Sequence, residues 1–265
     1  MNRKYIVALN DKQRERLEKL ISSGTAAART ITHARILLKS DSSMVYPPKA
    51  NAAFVCCMED VLDVYKRPHD PKRPLICMDE ITRQLLADVR ESLPAEPGQP
   101  ERFDAEYKRD GVADVFLFFE LLSGQRHLDV TEHRTRKDWA EAMRKLSDEW
   151  CADAERILLV CDNLNIHTPA SFYEAFEPDE ARRLVERFEF HFTPKHGSWL
   201  NMAEIEFSVL SRQCLDRRIP DITSMTEQVM AWADERNKRV VKVDWQFTTA
   251  DARIKLRHLY PQIES

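Results

Sequence analysis

Glycine is scarce in this chain, five among 265 residues, and none stands in a pattern that could wrap a phosphate. Neither a Gly-x-Gly-x-x-Gly fingerprint nor a Gly-rich loop closing on Gly-Lys-Ser/Thr is present, which argues against a nucleotide-binding enzyme. There is no Gly-x-Ser-x-Gly elbow, so a serine hydrolase has no support. The six cysteines (56, 57, 77, 151, 161 and 214) include no Cys-x-x-Cys spacing, and neither a zinc ribbon nor a disulfide framework is expected. No apolar run approaches the length of a membrane span, and the opening MNRKYIVALNDKQ lacks the hydrophobic stretch of a secretory signal. Absence of membrane association and a cytoplasmic location are therefore expected. Internal repeats and low-complexity tracts are lacking as well.

With 43% hydrophobic and 32% charged residues, the chain has enough apolar material to bury a real core. Its net charge of −4 is unevenly spread. Residues 1–40 hold nine Lys/Arg against three Asp/Glu, a net of +6, which leaves −10 on the rest. A second basic stretch, 236–258, has seven Lys/Arg against Asp244 and Asp251, a net of +5. Basic ends around an acidic centre suit a protein that grips phosphates and concentrates carboxylates around metal, although solvated helix faces would give the same count.

Periodicity predicts amphipathic helices at 10–22 and 25–39, a Pro-Pro linker at 41–50, and a helix at 51–66 with Phe54, Met58, Val61, Leu62 and Tyr65 inward. Strands are expected at 74–79, 112–122, 126–132, 156–161 and 188–193, with a proline-rich loop at 90–104. Helices are expected at 136–150, 169–176, 179–187, from about Asn201, at 224–237 and near 249–259. The stripe Trp139, Met143, Leu146, Trp150 reads as core. Cys77 and Cys161, within the apolar runs, read as small buried residues.

Three acids stand out against this background. Asp79 closes the run PLICMDE, Asp162 closes ILLVCDN, and Glu204 falls in the first turn of the helix beginning near Asn201. Each has a local alternative: a cap after a strand, a turn former, and an acid favoured by a helix dipole. Carboxylates at the ends of two buried strands are nonetheless costly as packing elements. They make sense if they converge on a divalent cation, because Mg²⁺ and similar hard ions take oxygen ligands. Glu206 competes with Glu204, but two residues along a helix turn a side chain by about 200°, so only one of them can face the aspartates.

The words CMDE (77–80), VCDNLNIHTPASFYEAF (160–176) and FTPKHGSWLNMAEIEFSVLSRQCLDRRIP (192–220) resemble the DDE transposases of bacterial insertion sequences. The group they resemble is the IS-six-thirty family, related to the mariner transposases. The resemblance spans about 46–263 and implies an RNase H-like α/β catalytic domain that cuts and rejoins DNA with Mg²⁺ or Mn²⁺, as a pair of ions. Its three acids fall on Asp79, Asp162 and Glu204, and its Asn-x-x-Glu word on Asn201 to Glu204 favours Glu204 over Glu206. Asn163, Asn165 and His167 could orient Asp162, lie around the metal or touch DNA, and loop capping competes equally. The resemblance suggests that Lys195, His196 and Ser198 approach the DNA backbone, against a plain turn centred on Gly197.

The element order fits that fold, whose mixed five-stranded sheet runs 3-2-1-4-5. Strands one and four are then neighbours at the point where the winding reverses, with Asp79 and Asp162 at their carboxyl ends. The expected division is a helical helix-turn-helix remnant at 1–40, a linker and helix at 41–72, the catalytic domain at 73–220 and a helical extension at 221–265. Relatives carry tandem helix-turn-helix units, whereas ARILLKSDSS here runs almost directly into VYPPKANAAF, as in an internally deleted copy. The implied partners are double-stranded DNA (element ends and a TA-containing target) and a second copy of the chain as a homodimer. Two other readings stay open: a remnant that binds DNA or transposase without catalysis, and a non-transposing RNase H-like endonuclease.

Overall fold

The computed structural model describes residues 51–90, 97–99 and 106–262, together with Lys12, Gln13, Arg16, Leu17 and Lys19. Those five positions are helical. The remainder of the segments expected at 10–22 and 25–39, the 41–50 linker and most of the 90–104 loop lie outside the described residues.

Helix α1 (Ala52–Tyr65) opens on Asn51, whose Oδ1 accepts from the Phe54 N–H at 3.0 Å, and buries Phe54, Met58, Val61, Leu62 and Tyr65 as its spacing predicts. Five strands follow: β1 (Leu75–Asp88), β2 (Tyr107–Glu120), β3 (Gln125–Thr131), β4 (Ile157–Cys161) and β5 (Phe188–Phe192). They form one sheet in the order β3-β2-β1-β4-β5. The first three make an antiparallel meander, and β4 and β5 run parallel to β1. This is the RNase H-like arrangement.

Alternation along the strands divides the apolar residues between two cores. Ile76, Met78, Phe116, Phe118, Ile157 and Leu159 meet α2 (Arg136–Lys145), α3 (Ala170–Ala175) and α4 (Pro178–Arg187) through Trp139, Met143, Phe172 and Leu184. Cys77, Val115, Leu117, Phe119, Leu158 and Val160 face the other way, onto α1, α5 (Met202–Gln213) and α6 (Ile222–Lys238). Helix α7 (Thr249–Lys255) closes that second layer with Ala252. The stripe on α2 is core, as expected, and continues into a π-helical turn over Leu146–Trp150. Among the described residues no helix is long and apolar enough to cross a membrane.

One boundary departs substantially from expectation. The first strand does not end at Asp79 but continues to Asp88, and its partner begins at Tyr107 rather than 112. Pairing of β1 with β4 stops at Cys77↔Val160, while pairing with β2 runs on to Asp88↔Tyr107. Past Asp79 the strand leaves the two-sided core and becomes part of a ribbon. Its sequence there turns polar and mixed, and a search for apolar runs cannot see it.

Candidate active site

Asp79 and Asp162 are brought together by strand register. Cys77 pairs with Val160 across parallel strands, and each aspartate lies two residues further along its own chain. A spacing of two within a strand keeps a side chain on the same face, so Asp79 follows Cys77 onto the α5 side of the sheet. Asp162 stands one residue past the end of β4, near enough for its charge to act on Asp79. They sit where the parallel pairing ends and the winding direction reverses, the place where open α/β sheets leave a crevice.

Glu204 reaches the same face from α5. The preceding segment turns sharply: Gly197 N–H donates to the Pro194 carbonyl at 2.7 Å, and a Cβ on Gly197 would stand 2.6 Å from Pro194 Cγ. Only glycine fits there, and the adjacent His196 takes a left-handed φ of 68°. Asn201 then caps α5. Its Oδ1 accepts from the Ala203 N–H at 3.1 Å, while its Nδ2 donates to the Met78 carbonyl at 2.9 Å. That second bond ties the start of α5 to the residue before Asp79. Nearby, the Tyr65 hydroxyl donates to the Leu200 carbonyl and lies 3.1 Å from Cys77 Sγ, joining α1 to the same turn. Burial pushes the Cys77 thiol up to about 12, so it stays a neutral packing group.

The electrostatics of Asp79 record this gathering. Burial, then the charges of Glu80, Glu204 and Asp162, raise its carboxyl to about 7 against the lowering effect of a 2.9 Å hydrogen bond from the Glu80 N–H. Glu204 is exposed and has no cationic partner among the described residues. Glu206, two residues on, is buried instead. Its Oε2 accepts from Arg126 Nε at 2.8 Å and its Oε1 from Arg236 Nη2 at 3.0 Å. Arg126 is itself satisfied by the Gly124 and Val241 carbonyls (2.7 and 2.8 Å) and lies 4.3 Å over the Phe119 ring. Glu206 is therefore neutralised inside the fold, and Glu204 is the glutamate on the side of the aspartates.

Among the described residues no three His, Cys, Asp or Glu side chains close into a ready-made cage for a single ion. The three acids are near enough for Asp79 to feel the charges of the other two, yet not at single-ion ligand spacing; Coulomb forces reach further than coordination does. As a donor set they fit a hard divalent cation: oxygen ligands only, and without a lysine or arginine paired to them among the described residues.

His167 is fully buried beside Asp162. Its Nδ1 lies 2.5 Å from Asp162 Oδ1 and its Nε2 lies 3.0 Å from Glu80 Oε2, within ion-pair reach but without hydrogen-bond geometry. Burial alone would lower this imidazole, but the hydrogen bond to Asp162 and the charges of Glu80 and Asp162 outweigh it and hold it at about 9. Asp162 Oδ1 also accepts from the Leu164 N–H at 3.3 Å, so the aspartate forms the expected turn as well. Glu80 points to the face opposite Asp79, as alternation requires, and its Oε1 meets Arg134 Nη1 at 3.0 Å. Glu80 and Arg134 do not stand out in the sequence as site residues; period two gives the face of Glu80, but nothing local announces its partners.

The remaining candidates divide cleanly. Asn163, Asn165, Lys195, His196 and Ser198 are exposed, whereas His167 and Asn201 are buried and meet site groups rather than the surface. Asn163, Lys195, His196 and Ser198 line one groove of about 550 Å³, with Asp162 in its wall and Asn51, Phe54 and Cys57 of the α1 region opposite. Asn165 lines a second groove of about 270 Å³ with Arg134 and Ile166, which shares Asn163 and Leu164 with the first.

An α/β sheet of this order, with Asp79 and Asp162 where the parallel seam ends, is an RNase H-like fold. The chain belongs to the DDE superfamily endonucleases, whose family pattern matches residues 74–226. No curated relative matches the chain in sequence. Among solved structures, it is similar to the Mos1 transposase paired-end complex with left transposon end, at 14% identity and a TM-score of 0.49 over 91% of this chain and 78% of that one. The Mos1 strand transfer complex gives 13% and 0.48 over 91% and 77%. The Mos1 mariner paired end complex with Mn gives 16% and 0.44 over 91% and 78%.

Proposed function

We propose that this chain is the transposase of a bacterial insertion sequence of the IS-six-thirty type, cleaving DNA strands and joining the freed 3′ ends to a target. The observation that carries this reading is the condition of Asp79. It lies at the seam of β1 and β4, is held at about 7 by burial and by the charges of Glu80, Glu204 and Asp162, and has no cationic partner among the described residues. Such a concentration of negative charge is relieved by cations. Asp79, Asp162 and Glu204 would hold Mg²⁺ or Mn²⁺ as a pair, which when bound would activate water or a 3′-hydroxyl and stabilise the leaving 3′ oxygen.

The chain's own residues supply position and charge. Asp79 would give up its proton on becoming a ligand, so cation binding would release protons near neutral pH. Asn201 holds the start of α5, and with it Glu204, against β1. Asn163, Lys195, His196 and Ser198 along the groove present donors and positive charge suited to a phosphate backbone beside Asp162. Residues 1–40, at +6, add phosphate contacts, as a helix-turn-helix remnant at the head of a 73–220 catalytic domain. Double-stranded DNA with element ends and a TA-containing target is the substrate in this reading, and a homodimer the working assembly.

The test is Mg²⁺- or Mn²⁺-dependent nicking of an element-end duplex, followed by joining of the cut 3′ end. Asp79→Asn, Asp162→Asn and Glu204→Gln should each lower cleavage by about 10²–10³-fold or more with the fold intact, the lower bound being the order of loss seen when a key electrostatic contributor is removed. Nicking that persists in these variants or in excess chelator means the chemistry lies elsewhere. Nicking without joining makes the chain an endonuclease, and no nicking at all makes it a binding remnant. Terminal inverted repeats flanked by duplicated TA in the surrounding DNA would support the mobile-element origin.

A further inference from the structure

Asp162 is held more elaborately than a turn requires. The Leu164 N–H and His167 Nδ1 both address Oδ1, and among the described residues nothing addresses Oδ2. His167 is folded back onto Asp162 by its own backbone, with its N–H donating to the Leu164 carbonyl at 3.0 Å. From the side it meets Trp139, with ring centroids 5.8 Å apart. Its far nitrogen faces Glu80 Oε2 at 3.0 Å, and Glu80 in turn meets Arg134. The His167 and Glu80 side chains are 0% and 1% exposed. Burying an imidazole against a carboxylate costs desolvation that apolar residues of similar volume would not, so packing alone does not account for it.

We propose that Arg134, Glu80 and His167 form a positioning chain that sets the orientation of the Asp162 carboxylate, fixing Oδ1 and leaving Oδ2 directed at the ligand. The proposal rests on the reading of Asp162 as a metal-holding residue. An aspartate on a loop after a strand otherwise rotates freely about its terminal torsion, which is broad and weakly restrained. His167 removes that freedom from one side. Glu80 lies on the neighbouring strand and locks the ring's own rotation, so Asp162 is referenced to β1, the strand that carries Asp79. Arg134 fixes Glu80 from the surface, with 41% of its side chain exposed. Groups that orient metal-holding residues in this way change metal affinity by about 10–100-fold when removed.

The test is Mn²⁺ binding to the full chain, read from the electron paramagnetic resonance signal of the free ion, with thermal melting of each sample alongside. Glu80→Gln and His167→Gln should each weaken Mn²⁺ binding about 10–100-fold. The double variant should lose no more than the worse single one, because both act along one path. Arg134→Ala should weaken binding severalfold and Arg134→Lys should restore part of the loss. Affinities within twofold of the wild type in both Glu80→Gln and His167→Gln, with only lower melting temperatures, would overturn the proposal and leave a purely structural network. In that case loss of binding in Asp79→Asn still upholds the metal reading. Absence of binding in the wild type overturns both. If His167→Gln fails to fold, Glu80→Gln, isosteric with the native residue, and Arg134→Ala, at the exposed end, decide the matter.

Discussion

Glu204 and Glu206, two residues apart on α5, have opposite fates. Glu206 pairs with both Arg126 and Arg236 inside the fold, and Arg126 has 0% side-chain exposure. Removing the charge of Glu206 leaves a buried guanidinium without its counter-ion, a change that costs about 3–5 kcal/mol. Glu206→Gln should therefore lower the urea midpoint markedly. Glu204→Gln changes an exposed side chain and should alter stability by no more than about 0.5 kcal/mol while cleavage is lost. Equal destabilisation by both variants would mean that Glu204 also has a structural partner, and the assignment of the two glutamates would fail.

At the scale of the element, α5 matters because of how it starts. Asn201 is both its cap and its tether: one side chain serves the Ala203 N–H and the Met78 carbonyl. Capping by such a residue stabilises by about 0.5–2 kcal/mol, and the Met78 carbonyl left without a donor costs about 1–3 kcal/mol more. Asn201→Ala is expected to lower stability by about 1.5–5 kcal/mol in a urea titration. It should lower cleavage by more than the unfolded fraction explains, because Glu204 loses its reference to β1. Asn201→Ser keeps a capping oxygen but cannot reach Met78, so it should recover part of the stability and little of the cleavage. Full recovery of cleavage by serine would show that the cap alone matters.

Across the whole molecule, charge links segments far apart in sequence. Glu189 on β5 accepts from Arg67 at 2.8 Å and Arg73 at 2.6 Å, which flank the turn between α1 and β1. Burial raises its carboxyl, but the hydrogen bonds from Arg67 and His191 and the Arg67 charge prevail and bring it down to about 2. The folded value lies below the ordinary glutamate value of about 4.3. Its stabilisation is therefore fully present above about 4.3 and is lost as pH falls through about 2. Glu189→Gln should lower the urea midpoint at pH 7 and flatten its decline between pH 4.5 and 2; a decline of unchanged steepness would remove Glu189 from the account of acid stability. Residues 1–40 carry +6 against −10 on the remainder. In the proposed reading they supply phosphate contacts, so DNA binding should be weak, on the order of 10⁻⁴–10⁻⁶ M at physiological salt, and steeply salt-dependent. Deleting 1–40 should flatten the salt slope; a preference of a thousandfold or more for an element end over a scrambled duplex would instead mean that this segment reads bases.

The sequence by itself determined the sheet. Strands β1 and β4 open as unbroken apolar runs because both faces are covered there, and period-two and period-3.6 patterns are local properties that each residue carries without its neighbours in space. From them the succession of elements followed, and α5 with its Asn201 start was equally legible. The order 3-2-1-4-5, which sets Asp79 and Asp162 at neighbouring strand ends, came with the RNase H-like fold that the family resemblance implies. Tertiary structure alone decided what lies between elements. The extension of β1 to Asp88 depends on a partner strand that lets polar residues pair. The silencing of Glu206 depends on Arg126 and Arg236, 80 and 30 residues away. His167 beside Asp162 was among the alternatives the sequence left open, but the links from His167 to Glu80 and from Glu80 to Arg134 join segments far apart. No local pattern marks such partners, because an ion pair needs only two groups that meet after folding, and sequence spacing carries no record of that meeting.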